Sequence, residues 1–252
     1  MQARLTTSLI AAALLTVATG CSGDGGTPGE GTYTISAYGE DFVEDKIPAD
    51  ETDGWEIVFS TFEVTITDIS AENDDAETVT VDGVHTLDLT EDSAGEGHTI
   101  AELAAPAGVY DSLNYRIAPA DGQSALRVAG TATKDGTTKT FAWEFDTDKL
   151  YENCQTSADV ADGGSASSQL TIHADHLFYD DLVGEEPNVA FELIASADAD
   201  DDGEVTLDEL AAVDITAETR YQVGSRDITD LRGFIEAQTT TVGHIDGEGH
   251  CD

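Results

Sequence analysis

Between residues 32 and 145 the chain alternates apolar and polar positions with the period of two that is typical of β-strands. In Trp55–Ile69, for example, Phe62, Val64 and Ile66 share one face. Clusters of Gly, Asp and Asn separate the runs and mark turns. The predicted strands are Tyr33–Tyr38, Trp55–Ile69, Thr78–Val81, His85–Leu89, Val109–Ile117, Ala125–Thr133 and Thr138–Phe145. The pattern predicts a mainly β protein, with an antiparallel β-sandwich over residues 32–150.

Beyond Cys154 the pattern changes. Residues 158–168 are polar and rich in Gly, Ser, Ala and Asp, which predicts a loop, and Gln169–Ala174 then predicts a strand. Asp175 is placed to cap a short helix over residues 176–183, and two further helices are predicted over 206–213 and 228–238. We therefore expect residues 151–252 to be a metal-binding region with a few short helices that packs on the sandwich.

The N-terminal residues have the architecture of an export signal: a positive charge, an apolar run over residues 9–17, and then small residues. The run is shorter than the roughly 20 residues that span a bilayer. Ala18-Thr-Gly-Cys21 resembles the lipobox of bacterial lipoproteins, which implies cleavage before Cys21 and diacylation of its sulfur. An ordinary secretory signal is the alternative.

On the lipoprotein interpretation, residues 1–20 are the signal peptide and residues 21–31, rich in Gly, are a flexible tether. The expected location is the outer membrane or the cell surface, with the periplasm as the alternative. Residues 88–110 support this location, because Asp88-Leu-Thr90 and Ala105-Pro-Ala-Gly-Val-Tyr110 are similar to a pattern in exported bacterial lipoproteins with immunoglobulin-like or transthyretin-like sandwiches.

The chain carries 52 acidic and 10 basic residues, a formal charge of −42. Such a surface repels nucleic acid and anionic lipid, so binding to either through charge is excluded. Contact with a membrane is therefore expected only through the N-terminal lipid. The acidic residues are scattered over polar positions, so most should be solvated and a minority are available as cation ligands.

Three cysteines are present. If Cys21 carries lipid, Cys154 and Cys251 remain as a pair in an oxidising compartment, where a disulfide is expected. The bond would tie the C-terminal tail to the body of the protein. A thiolate ligand at Cys251, beside His250, is the alternative.

Residues 198–209 read Asp-Ala-Asp-Asp-Asp-Gly-Glu-Val-Thr-Leu-Asp-Glu and resemble the EF-hand calcium loop at every diagnostic position. Calcium prefers six to eight oxygen ligands, which this spacing wraps around the ion. The resemblance implies a sharp turn at Gly203 and no partner for the short strand at Val205, since a second loop is not visible. The implied calcium ligands are Asp198, Asp200, Asp202, the backbone carbonyl of Glu204, Thr206 directly or through water, and both carboxylate oxygens of Glu209.

Four of the six histidines follow Cys154: His173 and His176 at a predicted strand end, and His244 and His250 in the Gly-rich tail. If Leu170 and Ile172 face the core, His173 faces away from it and is free for a ligand. Together with Asp175, Asp246 or Glu248, these histidines would suit zinc or copper. Surface histidines without a metal are the alternative.

Enzyme motifs are absent from the sequence: there is no nucleophile elbow, phosphate loop or dinucleotide fingerprint. Residues 171–176 partly resemble the metallo-β-lactamase motif, but Thr171 replaces its first histidine and the αββα pattern is missing. We expect a calcium-binding, lipid-anchored surface or periplasmic protein that acts as a binding or structural module and not as an enzyme. The alternative is a periplasmic zinc- or copper-binding protein that uses the histidines, with calcium in a structural role.

Overall fold

The computed structural model describes residues 29–184 and 186–252, which form two β-sheets in a sandwich-like arrangement. The predicted signal peptide, the lipidation site Cys21 and residues 21–28 of the tether lie outside the described residues. Strand accounts for 48 % of the structure and helix for 12 %, which confirms the predicted mainly β class. The strands of the described residues are β1 (Glu30–Tyr38), β2 (Glu56–Asn73), β3 (Thr78–Val81), β4 (His85–Asp88), β5 (His98–Pro106), β6 (Gly108–Ile117), β7 (Leu126–Lys134), β8 (Thr137–Phe145), β9 (Lys149–Val160), β10 (Ser165–Ile172), β11 (Glu204–Val205) and β12 (Gly243–Ile245).

Helices are short throughout the described residues, and none of those found there is long and apolar enough to cross a membrane. They are α1 (Glu40–Glu44), α2 (Glu192–Ala195), α3 (Leu207–Ala212), α4 (Leu231–Gln238) and a 3-10 helix (Asp175–Phe178). The two longer helices confirm the predictions over residues 206–213 and 228–238. Each begins at an N-cap whose side chain accepts a backbone N–H, Thr206 for α3 and Asp230 for α4.

The larger sheet is organised around β2, which pairs with β7 on one side and with β3, β4 and β6 along its length. Six of its eight strands follow the order β11-β8-β7-β2-β6-β9, and β3 and β4 pair with β2 off this path. Phe62, Val64 and Ile66 are fully buried, as their alternation predicts. Shifts of register within the β2 pairings bend the long strand, so that it serves several partners.

The smaller sheet has the order β12-β10-β1-β5 and supplies the frame for one of the candidate sites. Most pairings in both sheets are antiparallel, but β1 pairs with β10 in parallel, and β11 pairs with β8 in parallel. Both sheets are therefore mixed. The sequence could not show this, since apolar alternation has the same period in either direction. Nearly all of the larger sheet lies between β1 and β10 along the chain, which gives ample length for the crossover that a parallel pair requires.

The predicted loop over residues 158–168 is wrong, because β9 continues to Val160 and β10 begins at Ser165, with only a tight turn between them. Ser168 is buried and accepts a hydrogen bond from the Tyr33 hydroxyl at 2.7 Å. Strand β9 runs through residue 150 and completes the larger sheet beside β6, so the chain on both sides of that position shares one sheet.

The predicted helix over residues 176–183 is also wrong, because only the 3-10 turn Asp175–Phe178 forms. After it, the chain is extended and makes isolated bridges from Tyr179 to Val189 and from Asp181 to Gln222. The Asp181 carboxylate accepts the N–H groups of Val183 and Gly184. Such a local side-chain turn competes with helix formation and ends it early.

Aromatic side chains fix the 3-10 helix against the larger sheet. Phe178 is fully buried, with its ring 6.1 Å from Phe141 and 5.6 Å from Phe191. Trp143 is 6.4 Å from the same ring. Because aromatic pairs at these distances contribute packing energy beyond area burial, the segment that carries Asp175 and His176 is held in a defined position.

Candidate metal sites

His173 and Glu40 are brought together by the parallel pairing of β1 with β10. The register places Tyr38 opposite Thr171, so both strands leave the sheet at the same edge. The next residues along each chain carry the side chains, and Glu40 Oε2 lies 3.4 Å from His173 Nδ1. Glu40 has a φ of 59°, a left-handed conformation that costs free energy in a residue other than glycine and persists where surrounding structure imposes it.

His244 arrives from the opposite side of β10. Strand β12 pairs with β10 so that His244 lies opposite Thr171, and the His173 N–H donates to the Val242 carbonyl at 2.8 Å. The ring centroids of His173 and His244 are 4.5 Å apart. His173 is thus not free as predicted: the tail covers it, and only 4 % of it is exposed. Its buried imidazole faces other candidate ligands instead of solvent.

His176 completes a group of three converging imidazoles. Its ring centroid lies 5.0 Å from that of His173 and 5.2 Å from that of His244. Its Nδ1 is 2.8 Å from the Thr241 carbonyl, which can only accept a hydrogen bond. Nδ1 therefore carries the proton in this contact, and Nε2 is left with the lone pair that a metal needs. We call His173, His176 and His244 the histidine cluster.

Carboxylates surround the histidine cluster and extend it into two ligand groups that share His173. In one group His173, His244 and Glu248 place ligand atoms within 4.8 Å of one another, and in the other His173, Asp175 and His176 do so. Glu40, beside His173, is a further oxygen donor. Asp175 accepts the Tyr179 hydroxyl on Oδ2 at 2.7 Å.

Two buried polar atoms in or beside the histidine cluster have no hydrogen-bond partner: His244 Nδ1 and Asp175 Oδ1. Asp175 as a whole is only 7 % exposed. Leaving a buried acceptor without a partner costs free energy, roughly 1–3 kcal/mol in typical cases, and coordination to a cation would remove that cost. Among the features of this candidate site, these two atoms point most directly to a bound cation.

Two residues predicted for this site have other roles or positions. His250 is exposed, its ring centroid is 6.4 Å from that of His244, and it belongs to neither ligand group. Asp246 accepts the Thr156 hydroxyl at 2.6 Å and the Gln169 N–H at 2.8 Å, so its carboxylate fastens the tail to β9 and β10. The histidine cluster therefore has three histidines and not four.

Burial favours the neutral imidazoles of His176 and His244 by lowering the pKa of each. Desolvation, and to a lesser extent the three neighbouring histidines, lower the pKa of His244 to about 4. Desolvation also lowers the pKa of His176, although Asp175 acts in the opposite direction. Burial raises the pKa of Glu40 above its ordinary value, although the neighbouring His173 lowers it, and the carboxylates of Glu248, Asp175 and Asp41 add to the rise. Neutral imidazoles have free lone pairs at pH 7, as metal binding requires.

The second candidate site is the loop over residues 198–209, between α2 and α3. Asp198, Asp200 and Asp202 place carboxylate oxygens within 4.8 Å of one another. The N–H groups of Asp202 and Gly203 turn inwards onto Asp198 at 3.2 and 2.9 Å. Gly203 has a φ of 91°, the left-handed turn that was predicted for this glycine.

Glu209 lies outside that set of three aspartates, but it closes the loop. Its Oε1 accepts the Ala199 N–H at 3.0 Å, and its Oε2 accepts both the N–H and the hydroxyl of Thr206. Thr206 in turn accepts the Glu209 N–H, which makes a capping box at the start of α3. The Glu204 side chain is exposed, consistent with the expected ligand role of its carbonyl alone.

No second loop of this kind occurs among the described residues, and this loop pairs with the larger sheet instead. Glu204 and Val205 form β11, which pairs in parallel with Thr140 and Phe141 of β8. The Trp143 indole N–H donates to the Val205 carbonyl at 2.8 Å. The short pairing that EF-hand loops usually make with each other is thus supplied by the edge of the larger sheet.

A lysine of the same sheet edge also reaches the loop. Lys139 Nζ lies 2.5 Å from Asp198 Oδ2, and the Asp198 side chain is fully shielded from solvent. This ion pair, together with the Gly203 N–H, holds the pKa of Asp198 below its ordinary value. The ammonium group neutralises one carboxylate of the loop, and it would compete with a cation for that oxygen.

The predicted disulfide between Cys154 and Cys251 is present, with an S–S distance of 2.02 Å. The alternative of Cys251 as a thiolate ligand is therefore excluded. The bond joins the tail to β9, where the Gln155 N–H also donates to the His250 carbonyl at 3.1 Å. It anchors the end of the segment that carries His244 and Glu248.

No family model, no curated protein and no solved structure matches the chain. The geometry of the two sites is accordingly the basis for assigning a function.

Sequence reasoning missed Glu40 and Lys139. Neither has a local signal: each is an acidic or basic residue near the end of a strand, distant in sequence from the site that it joins. Only the β1–β10 and β8–β11 pairings bring them into place. Both pairings are parallel, and these are the ones that periodicity could not predict.

Proposed function

We propose that this protein binds a divalent transition-metal ion at the histidine cluster and a calcium ion in the loop over residues 198–209. The observation that carries the proposal is the convergence of His173, His176 and His244 around buried atoms that lack hydrogen-bond partners. Three separate stretches of the chain supply the side chains: Glu40, residues 173–176 and residues 244–248. Surface histidines without a common ligand would not be expected to converge from separate stretches of the chain.

The donor set favours zinc or copper(II). Imidazole nitrogens suit both ions, and nearby carboxylates complete the coordination of a borderline cation. Thiolates select copper(I), and the described residues offer none, because their two cysteines, Cys154 and Cys251, are joined in a disulfide. Asp175 is available through Oδ1, while Tyr179 holds its other oxygen and acts as an outer-shell partner that orients it.

Calcium in the loop has a structural role in this proposal. The loop bridges α2 and α3 and docks on β8, so an ion bound there would fasten the C-terminal segments to the larger sheet. An ion that binds only the folded state adds stability by mass action. The predicted export and lipid anchor would place this metal-binding module at the outer membrane, the cell surface or the periplasm, as a binding protein and not an enzyme.

Metal analysis of the purified full chain tests the proposal. Elemental analysis should find one zinc or copper per chain, and titration of chelator-treated protein with Zn²⁺ should restore it. The double variant His173→Ala/His244→Ala should lose this ion. The matched control is His85→Ala/His98→Ala, which removes two histidines that contact backbone carbonyls and belong to neither ligand group.

Equal zinc content in the two double variants would show that the histidine cluster is not the site. Failure of the wild-type chain to take up zinc or copper would overturn the transition-metal proposal. Melting curves in chelator would establish that both variants are folded.

A further inference from the structure

Beside the histidine cluster lies a cavity of about 320 Å³. It is near the lower limit of known small-molecule sites, which span roughly 300–1,000 Å³, and it has room for several water molecules, at about 30 Å³ each. Its lining includes one residue from each ligand group, His176 and Glu248. A metal held by either group would therefore lie next to open space and not against packed side chains.

We propose that the metal site keeps an exchangeable coordination position that faces this cavity and accepts a small neutral nitrogen donor of the imidazole or amine class. The inference rests on the proposed transition-metal site. Each ligand group supplies three protein ligands, and an ion that takes three protein ligands retains a further position, as open zinc sites do.

The other side chains of the cavity determine which donor fits. Asp181 and Glu248 contribute carboxylates, and neither lysine nor arginine occurs among the described residues that line the cavity. A phosphate or another anion would meet like charge from these two carboxylates, which offsets its attraction to the bound ion, whereas a neutral donor is not repelled. Leu182 and Pro187 add apolar surface, which suits the carbon atoms of an imidazole ring or an alkylamine.

Most polar groups of the lining already make hydrogen bonds within the protein. They are therefore not available to bind the nitrogen donor, which would be held by the metal. The Tyr179 hydroxyl donates to Asp175, and Asp181 accepts two backbone N–H groups. Gln238 donates to the carbonyls of Tyr179 and Asp181 at 3.1 and 3.3 Å. A ligand in the cavity would thus be held mainly through its bond to the metal, and metal loading should be a condition for its binding.

Copper(II) serves as the spectroscopic probe. The full chain, loaded with one equivalent of Cu²⁺, is titrated with imidazole while its d–d absorption band and its EPR spectrum are followed. We expect a saturable shift of the band and additional nitrogen superhyperfine structure in the EPR spectrum. Azide, the small anion, should need at least tenfold higher concentration for half saturation. Copper content after desalting confirms that imidazole has not removed the ion.

The variant Leu182→Trp blocks the cavity without changing a ligand residue. It should bind Cu²⁺ like the wild type but respond to imidazole at least tenfold more weakly. Val58→Trp adds the same side chain at an exposed position of β2 and should behave as the wild type. Melting curves establish that both variants are folded; should Leu182→Trp not fold, Leu182→Phe takes its place.

The outcomes separate the two proposals. Absence of copper binding in the wild type would overturn the metal site and this inference together. Copper binding without any response to imidazole would leave the metal site standing and overturn the exchangeable position. An undiminished response in the cavity-blocking variant would show that imidazole does not enter from this cavity, and a stronger response to azide than to imidazole would overturn the ligand class.

Discussion

The loop over residues 198–209 and the histidine cluster both gather candidate metal ligands, but the chain builds them in opposite ways. The loop is continuous, with its candidate ligands within twelve consecutive positions, 198–209. The cluster is assembled from α1, the end of β10, the 3-10 helix and the tail around β12. The loop can approach its geometry through local turns, whereas the cluster exists only after the smaller sheet has formed.

The two sites also differ in how they satisfy their charged and polar groups without an ion. In the loop, backbone N–H groups and Lys139 compensate the carboxylates. In and beside the histidine cluster, His244 Nδ1 and Asp175 Oδ1 have no hydrogen-bond partner. The loop should therefore stay folded without an ion. At the histidine cluster, an ion would instead satisfy buried polar atoms that have no hydrogen-bond partner, and this removes the larger cost.

The largest expected effect concerns His173, which belongs to both ligand groups. Replacing it by alanine should weaken zinc binding by more than the roughly 100-fold that loss of an outer-shell partner costs. His250→Ala is the matched control, because the structure leaves this exposed histidine outside both groups and predicts little change. Isothermal titration of chelator-treated protein with Zn²⁺ measures both. Similar losses in the two variants would restore the four-histidine site that the sequence suggested.

A second effect, smaller and confined to the loop, follows from the position of Glu209. At a calcium concentration of 100 times the dissociation constant, binding should raise the melting temperature of the wild type by about 5–10 °C. Glu209→Gln should lose most of that rise, because it removes a charged oxygen where the loop closes. Glu204→Gln, with an exposed side chain in the same loop, should keep it. A wild-type melting temperature that is the same in millimolar calcium and in chelator would exclude the calcium site.

The loop was predictable from sequence because its candidate ligands and its turn at Gly203 are both encoded locally. Strand β2 was predictable for a similar reason, since Phe62, Val64 and Ile66 form a buried face along it. The candidate histidines could be identified from sequence, but not which of them converge. No sequence pattern adds Glu40 to the site or separates His250 from the other three histidines. That information resides in which strands pair and in which direction, and it depends on long-range contacts that residue patterns do not record.

Lys139 offers a way to sharpen the contrast between the two sites. Lys139→Met removes the ammonium group from Asp198, so the empty loop should lose stability while the loop with calcium should not. Calcium should consequently bind about tenfold more tightly, which is the change that roughly 1.4 kcal/mol less competition would produce. Lys134→Met is the control, since Lys134 pairs with Glu192 and not with a loop carboxylate.

Calcium titration and melting in chelator, taken together, decide the Lys139 prediction. A merely structural lysine would lower the melting temperature with and without calcium by the same amount. Competition for Asp198 predicts a larger drop without calcium. Equal calcium affinity in Lys139→Met and the wild type would refute it.

The smallest expected effect is the pH dependence of the empty histidine cluster. His244 has a pKa of about 4 in the folded protein, below the ordinary value of about 6.5 that applies to the unfolded chain. As the pH falls, the unfolded chain is protonated first, so the stability that neutral His244 confers is complete above about pH 6.5 and is lost as the pH falls towards 4. The slope should be at most about 1.4 kcal/mol per pH unit, and less in practice because His244 is partly exposed.

Glu40 opposes this trend, because its raised pKa makes the folded state lose stability as the pH increases through that pKa. The contribution of His244 is therefore isolated by comparing the wild type with His244→Gln in urea unfolding between pH 4.5 and 7, in chelator. The difference between the two free energies of unfolding should shrink as the pH falls, whereas His85→Gln, on β4 of the other sheet, should give a constant difference. A constant difference for His244→Gln as well would mean that its imidazole is not held neutral by burial. The cluster would then lack the feature that prepares its nitrogens for a metal, and the contrast with the charge-compensated loop would fail.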